Sequence, residues 1–381
     1  MRRPVRTHPG FVVLLLLALF AVACEPGPTP TPVSTAESSP AAEASPEATS
    51  SPAATASPAS TSGRLADVQS RGQLICGVNG GLPGFSFLEE GTGEWSGFDT
   101  DFCRAIAAAV LGDAEAVEFR PLSADERSTA LQTGEIDVLI RNTTWTVSRD
   151  SAWGLFAPTT FYDGQGMMVT SATNATTLED LEGATICVQS GTTTELNLTD
   201  QMRALGVEFS PQVFGDIDAT YDAYSQGRCD AVTSDRSQLV ARRTQFTNPD
   251  DHVILDVVMS KEPLGPVAPL GDDQWFNVVK WVVFATFEAE EQGIDAANVQ
   301  ATRDSSENPV IRRLLGVQPD AGELAAGLGL EDDWVVNVIT AVGNYGEIYD
   351  RNLGPDTPFN LDRGPNRQWT DGGLLYAAPY R

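Results

Sequence analysis

Apolar residues fall into three regimes along this chain. Phe11 to Ala23 is one unbroken apolar run, Glu25 to Gly63 shows no apolar period, and from Arg64 onward short apolar runs alternate with stretches of helical spacing. Leu74 to Val78 reads as a strand that ends in the polar, glycine-rich Asn79-Gly-Gly-Leu-Pro-Gly. Phe98, Phe102, Ile106 and Val110 recur at helical spacing, and Gly112 closes that helix. Ala116 to Phe119 is a second strand, Glu126 to Gln132 a helix, and Ile136 to Ile140 a third strand. Ala184 to Gln189 opens a similar series, and Trp275 to Glu288 and Asp332 to Tyr349 read as apolar-rich helices. Strands alternating with helices argue for parallel βαβ units and an α/β fold.

The pattern also repeats. Ala130-Leu-Gln-Thr-Gly134-Glu-Ile-Asp137-Val-Leu returns in form as Ala223-Tyr-Ser-Gln-Gly227-Arg-Cys-Asp230-Ala-Val, at one offset of 93 residues. In each copy a helix ends at a glycine, an aspartate opens a turn, and an apolar strand follows. The same offset sets Asn142 opposite Asp235, a polar side chain at each strand end. Two lobes of similar design are expected, both carrying polar groups where ligands of open α/β sheets bind.

The residues before Arg64 are not expected to belong to the fold. Arg2, Arg3 and Arg6 precede the apolar run, which is the layout of a signal peptide over residues 1–23. Ala21-Val-Ala-Cys24 resembles a bacterial lipobox, which implies cleavage before Cys24 and a lipid on its sulfur. Residues 24–63 are rich in Pro, Ser, Thr, Ala and Glu, cannot bury enough to order themselves, and read as a tether. Without Cys24 four cysteines remain, Cys76, Cys103, Cys187 and Cys229, which allow three pairings or four free thiols. Cys76–Cys103 with Cys187–Cys229 is favoured, because each pair falls within one lobe and export favours disulfides. The 24 basic and 52 acidic residues give a net charge of −28, which argues against a nucleic-acid partner and for a soluble monomer. His8 and His252 are the two histidines, and no CxxC is present. No metal, cofactor or histidine-based chemistry is expected.

Two stretches carry the candidate chemistry. Val138-Leu-Ile140 breaks into Asn142, Thr143, Thr144, Thr146, Ser148 and Arg149, a strand end suited to a small anion. Ala184 to Gln189 runs into Ser190-Gly-Thr192-Thr193-Thr194-Glu195, a helix start whose amides and hydroxyls suit a carboxylate. Thr192 and Glu195 have capping-box spacing, which would occupy Thr192 and leave Thr193 and Thr194 free. No GxxxxGK[ST] phosphate loop occurs.

With Gly77-Val-Asn-Gly-Gly-Leu-Pro-Gly-Phe, Trp95-Ser-Gly-Phe-Asp, Arg141-Asn-Thr-Thr-Trp-Thr, Gly191-Thr-Thr-Thr-Glu-Leu-Asn-Leu, Ser260-Lys-Glu-Pro-Leu-Gly-Pro and Val342-Gly-Asn-Tyr-Gly-Glu, the chain from about Leu65 to Arg381 resembles the extracytoplasmic solute-binding proteins of polar amino-acid ABC importers, in their general L-amino-acid-binding branch. That resemblance implies a two-lobed clamp of the type II periplasmic-binding-protein kind, each lobe a mostly parallel sheet flanked by helices. Lobe one would span 64–166 and 262–381 and lobe two 167–261, joined near Asp163-Gly-Gln-Gly166 and Lys261-Glu-Pro-Leu-Gly265. Thr144, Thr146, Arg149, Thr192 and Thr193 would hold the α-carboxylate of an L-amino acid, and Asp235, with Asn142 nearby, the α-ammonium. Cation-selective members carry an aspartate in the first strand-end loop, where this chain has Gly80-Gly81-Leu82-Pro83, so a broad pocket is expected. Phe85, Phe87 and Trp145 are candidate walls or core residues. An ABC permease would be the partner, on the extracytoplasmic face of a membrane reached through the lipid alone.

An enzyme is the competing reading, since relatives on this fold dehydrate cyclohexadienyl acids such as arogenate. That chemistry needs a general acid in the cleft. Asp235 is the one carboxylate that stands out there, and it is assigned to the ammonium.

Overall fold

The computed structural model describes residues 63–381. The signal run, Cys24 and the tether lie outside the described residues. Helix α1 (Arg64–Arg71) leads into strand β1 (Leu74–Val78), a small three-stranded antiparallel meander, helix α2 (Phe98–Leu111) and strand β2 (Val117–Pro121). Helix α3 (Arg127–Thr133), strand β3 (Val138–Leu139), helix α4 (Val147–Ala152) and strand β4 (Gly154–Phe156) follow. β2, β1 and β3 pair in parallel. Strand β11 (Val267–Pro269), from much later in the chain, joins antiparallel between β3 and β4 to complete a five-stranded sheet.

The second lobe is built on strands β5 (Phe161–Thr170), β6 (Thr185–Gln189), β7 (Ser210–Phe214), β8 (Ala231–Asp235) and β9 (His252–Ile254), in the order β7-β6-β8-β5-β9. Helices α5 (Thr193–Leu205), α6 (Ile217–Ser225) and α7 (Arg236–Arg243) connect them. Alternation along β5 shows both faces of this sheet covered. Met167 and Val169 enter one core with Ile186 and Met202, while Met168 enters another with Cys187, Tyr224 and Val232.

β5 belongs to both lobes. Its first half pairs antiparallel with strand β10 (Lys261–Leu264), and its second half pairs with β8 and β9. The chain thus crosses outward on β5 and returns on β10. Glycine suits this crossing because a Cβ would meet a backbone carbonyl at one position and a packed side chain at the other. A Cβ on Gly164 would lie 3.0 Å from the Ser260 carbonyl oxygen, and one on Gly166 2.8 Å from Arg236 Cγ.

The internal echo has a structural meaning. Gly134 and Gly227 both take left-handed φ, 77° and 73°. Asp137 Oδ2 accepts from the Ile75 amide at 2.7 Å, and Asp230 Oδ2 from the Thr185 amide at 2.8 Å. Each aspartate therefore pins the start of the neighbouring parallel strand, which sets the register that brings both strand ends to the cleft. Asp137 is also held by Arg64 and Arg71 and, through its carbonyl, by the indole of the fully buried Trp275 on helix α8 (Asp273–Glu291).

Asp332 to Tyr349 is not one helix. It divides into α9 (Trp334–Val342) and α10 (Tyr345–Asn352), because Gly343 leaves helical geometry at φ 81° and Asn344 caps the next helix with Glu347 in a full capping box. Phe85, a candidate cleft wall, is instead wholly buried between Phe98 and Phe161, at ring distances of 6.0 and 5.2 Å. Apolar size alone does not separate a wall from a core residue.

Disulfides join Cys76 on β1 to Cys103 on α2, and Cys187 on β6 to Cys229 just before β8. They close loops of 27 and 42 residues, for which chain entropy gives about 3–4 kcal/mol each. Denaturant titration with and without reductant should show each lobe losing about that much. Non-reducing peptide mapping that found a bond between the lobes would overturn the pairing.

Candidate functional site

The strand ends of β3, β6 and β8 converge between the lobes, and the lobes meet there by direct contact. Asn142 Nδ2 donates to Gln238 Oε1 at 3.3 Å, and the Thr144 and Thr193 hydroxyls are 3.3 Å apart. Arg127 Nη2 donates to the Gly191 carbonyl at 3.3 Å, and the Ser190 hydroxyl to Asp125 at 3.0 Å. Arg127, Arg141, Arg149, Asn142, Thr144, Gln189, Thr192, Thr193 and Asp235 are among the residues that line the enclosed space. That space is about 20 Å³, enough for roughly one water molecule. Any amino acid therefore enters by parting the lobes and replacing these contacts.

On the first lobe, Asn142 takes φ 33°, a left-handed value that asparagine tolerates better than most residues. Its amide donates to Asp99 Oδ2 at 2.9 Å and its Oδ1 accepts from Asn79 at 3.1 Å. Arg149 reaches back from α4 so that Nη1 donates to the Thr144 carbonyl at 3.1 Å, and its guanidinium lies 4.7 Å over the Trp153 ring. Among the described residues, no carboxylate lies within ion-pair distance of Arg127, Arg141 or Arg149. Burial holds the Arg149 guanidinium below its ordinary pKa, with Glu262 and Asp235 opposing. Arg141 is lowered to about 10 by burial, offset by Asp99, whose own carboxyl burial pushes up to about 6.

On the second lobe, Asp235 ends β8 with 5 % exposure. Burial, then the Asp163 and Glu262 carboxylates, raise its pKa well above the carboxylate range, against Asn142 and Arg149. A buried carboxylate whose neighbours include two more acids gains from a cation. One strand end thus offers guanidinium groups and the other a carboxylate, the two clamps a zwitterion requires.

Several expected roles change. Thr146 caps α4, accepting from the Arg149 amide at 3.3 Å, so it positions Arg149 and does not line the enclosed space. Thr192 caps α5, but Glu195 accepts from Gly191 and not from Thr192, so no full capping box forms. The Thr193 and Thr194 hydroxyls, expected to be free, are engaged. Thr193 donates to Glu262 Oε2 at 2.8 Å, and Thr194 meets the Thr192 hydroxyl at 2.9 Å. Trp145 stacks on Phe156 at 5.9 Å and lines a separate groove of about 840 Å³ on the side of β5 and β10, because its backbone amide is fixed to the Pro263 carbonyl. Phe87 lies in a third hollow beside Trp95 and Phe359, away from the strand ends.

Sequence reasoning passed over Arg127, Gln238 and Glu262. Arg127 is 2 % exposed, with Nε unpartnered, and burial followed by Arg141 and Arg149 holds its pKa well below the ordinary value. Glu262 on β10 is fully buried and also accepts from Asn197 at 2.9 Å, tying the crossing to the start of α5.

Known proteins share this architecture. The chain is 50 % identical over 318 residues to the general L-amino acid-binding periplasmic protein AapJ of Rhizobium johnstonii, covering 83 % of this chain and 92 % of that one. It is 46 % identical over 318 residues to the glutamate/glutamine/aspartate/asparagine-binding protein BztA of Rhodobacter capsulatus, covering 83 % and 93 %. A solved periplasmic binding protein of an ABC transporter from Brucella ovis, with glutathione bound, superposes with a TM-score of 0.81 at 51 % identity, covering 84 % of this chain and all of that one. The sequence pattern of one family matches residues 74–281, and the chain belongs to that family, the bacterial extracellular solute-binding proteins, family 3.

Proposed function

We propose that this chain binds L-amino acids between its lobes and delivers them to an ABC permease at the extracytoplasmic face of the membrane. The observation that carries the reading is the opposition of Arg149 on one lobe to Asp235 on the other. The α-carboxylate would take the Arg149 fork with Thr144 beside it, and Arg127 adds a second buried guanidinium on the same side of the pocket, over the same Trp153 ring. The α-ammonium would take Asp235 and the Asn142 oxygen. Thr192 and Thr193 act at the same carboxylate through the start of α5. Family membership and the ligands for which AapJ and BztA are named support the amino-acid class.

Lobe boundaries at 64–166 with 262–381, and at 167–261, are part of the proposal, and the two crossings on β5 and β10 support them. A lipid on Cys24, a tether over 24–63 and a monomeric receptor complete the proposal. They rest on the lipobox-like Ala21-Val-Ala-Cys24 and on the acidic surface.

A thermal-shift screen against the common amino acids tests the reading. Ligand at about a hundred times Kd should add about 2.7 kcal/mol of stability, and a flat response to every amino acid would sink it. Turnover of arogenate or prephenate would instead establish the enzyme reading, with the buried Asp235 carboxyl as its acid.

A further inference from the structure

A helix begins with backbone amides that have no partner inside it, and an aspartate at the position before the first turn ordinarily accepts from one of them. Asp216 does so ahead of α6, taking the Ala219 amide at 2.9 Å, and Asp272 does so ahead of α8, taking the Trp275 amide at 2.9 Å. Asp235 stands at the same position ahead of α7, yet its carboxylate takes none of the first-turn amides. The acceptor comes from the crossing strand instead. Asp163 Oδ2, on β5, accepts from the Ser237 amide at 3.2 Å and also from the Ser237 hydroxyl. Register explains the reach. Asp235 is opposite Gln165 in the antiparallel pair of β8 and β5, so Ser237, two residues on, falls beside Asp163, two residues back. Asp163 is itself held by backbone pairing with Glu262 on β10 and by its Oδ1 accepting from the Gly164 amide at 2.7 Å.

We propose that Asp163 caps α7 in place of Asp235 and so leaves the Asp235 carboxylate free to take the ammonium of the ligand. The inference rests on the amino-acid-binding reading above and adds a positioning residue to it. Asp163 borders the groove beside β5 and β10 and is not among the residues that line the enclosed space, so it acts through Asp235. An aspartate at a helix start faces two competing demands, to turn back to the amides or to reach outward to a cation. With the Ser237 amide already taken, Asp235 has less to gain from turning back, and its carboxylate is set for the ligand before the ligand arrives. Loss of Asp163 would reopen the competition. Asp235 would then cap its own helix and would have to surrender that bond to hold an ammonium. Arg149 and Thr144, which face the other end of the zwitterion from the other lobe, take no part in this exchange.

Calorimetric titration of the full chain with L-glutamate and with glutarate, its des-amino analogue, tests this. Asp163→Ala should weaken L-glutamate by about three- to thirtyfold, the range of a lost helix cap, and leave glutarate within about threefold. Asp163→Asn keeps an oxygen for the Ser237 amide, and asparagine caps as well as aspartate does, so L-glutamate should return to within about threefold of wild type. Ser237→Ala removes one of the two bonds to Asp163. It should show a smaller loss of the same kind, about two- to fivefold, and it serves if Asp163→Ala does not fold. Equal losses with the two ligands would make Asp163 a structural residue of the crossing and overturn the proposal. An asparagine variant as weak as the alanine one would show that Asp163 supplies charge and not a cap, and would overturn it too. A wild-type chain that binds L-glutamate no better than glutarate would remove the ammonium clamp itself, and with it the reading on which this inference rests.

Discussion

Arg149→Ala should weaken amino-acid binding by roughly thirtyfold to several thousandfold, the equivalent of about 2–5 kcal/mol for leaving one partner of a buried charge pair unmatched. The expectation rests on geometry that makes Arg149 hard to replace. Thr146 fixes its amide, the Thr144 carbonyl fixes Nη1, and Trp153 supports the plane of the guanidinium. An arginine immobilised before the ligand arrives loses little side-chain entropy on binding it. Arg127 shares the Trp153 ring with it but lies farther from the ring, at 5.5 Å against 4.7 Å, and lacks the hold on the Thr144 carbonyl that fixes Arg149. Because the lost partner is the ligand's carboxylate, the defect should be equally severe for an amino acid and for its des-amino analogue. Calorimetry with both ligands measures it, and a loss below about threefold would remove Arg149 from the carboxylate site.

Asp235→Ala should be as damaging for the amino acid yet harmless or mildly favourable for the des-amino analogue, which has no ammonium to leave unpaired. Equal losses with the two ligands would show that Asp235 is not the ammonium partner. Wild-type binding should also depend on pH, with a definite sign. In the unliganded protein burial raises the Asp235 pKa well above the ordinary carboxylate range, and Asp163, close enough to raise it further, is itself pushed up to about 6 by burial. The ligand ammonium favours the ionised form, so binding expels a proton wherever the unliganded carboxyl is still protonated. Affinity is then full above the raised pKa and falls as pH drops through it, by at most about tenfold per pH unit for one proton. Asp235→Ala should flatten that slope. Titrations from acidic to alkaline pH, in buffers of different ionisation enthalpy, would count the proton directly.

How much of this was legible beforehand follows from what each feature depends on. The aspartates that open the strands, Asp137 and Asp230, and the glycines after α3 and α6 depend on local pattern, and the repeat from Ala130 to Asp137 displayed them in duplicate. That Arg149 and Asp235 would face the space between the lobes was legible through motif. Gln238, Arg127 and Glu262 were not, because their roles exist only once two separately folded sheets are brought face to face. No periodicity encodes a contact such as Asn142 to Gln238. Phe85 failed for a different reason: a phenylalanine after a glycine-rich turn has the same pattern whether it faces a cleft or the ring cluster with Phe98 and Phe161. Gly343 was visible, but helical spacing on both sides of it concealed the break.

The sharing of β5 between two sheets carries a mechanical consequence. A pivot confined to one loop residue swings freely between two stops. A hydrogen-bonded pair of strands, β5 with β10, instead yields by twisting over its whole length, like a torsion bar. Restoring force then grows with the angle, and the degree of closure becomes continuous. Cargo of unequal bulk can be enclosed at slightly different angles without reshaping the strand ends that grip its charged groups. Breadth of selection, on this account, resides in the elasticity of the crossing as much as in the walls of the cleft.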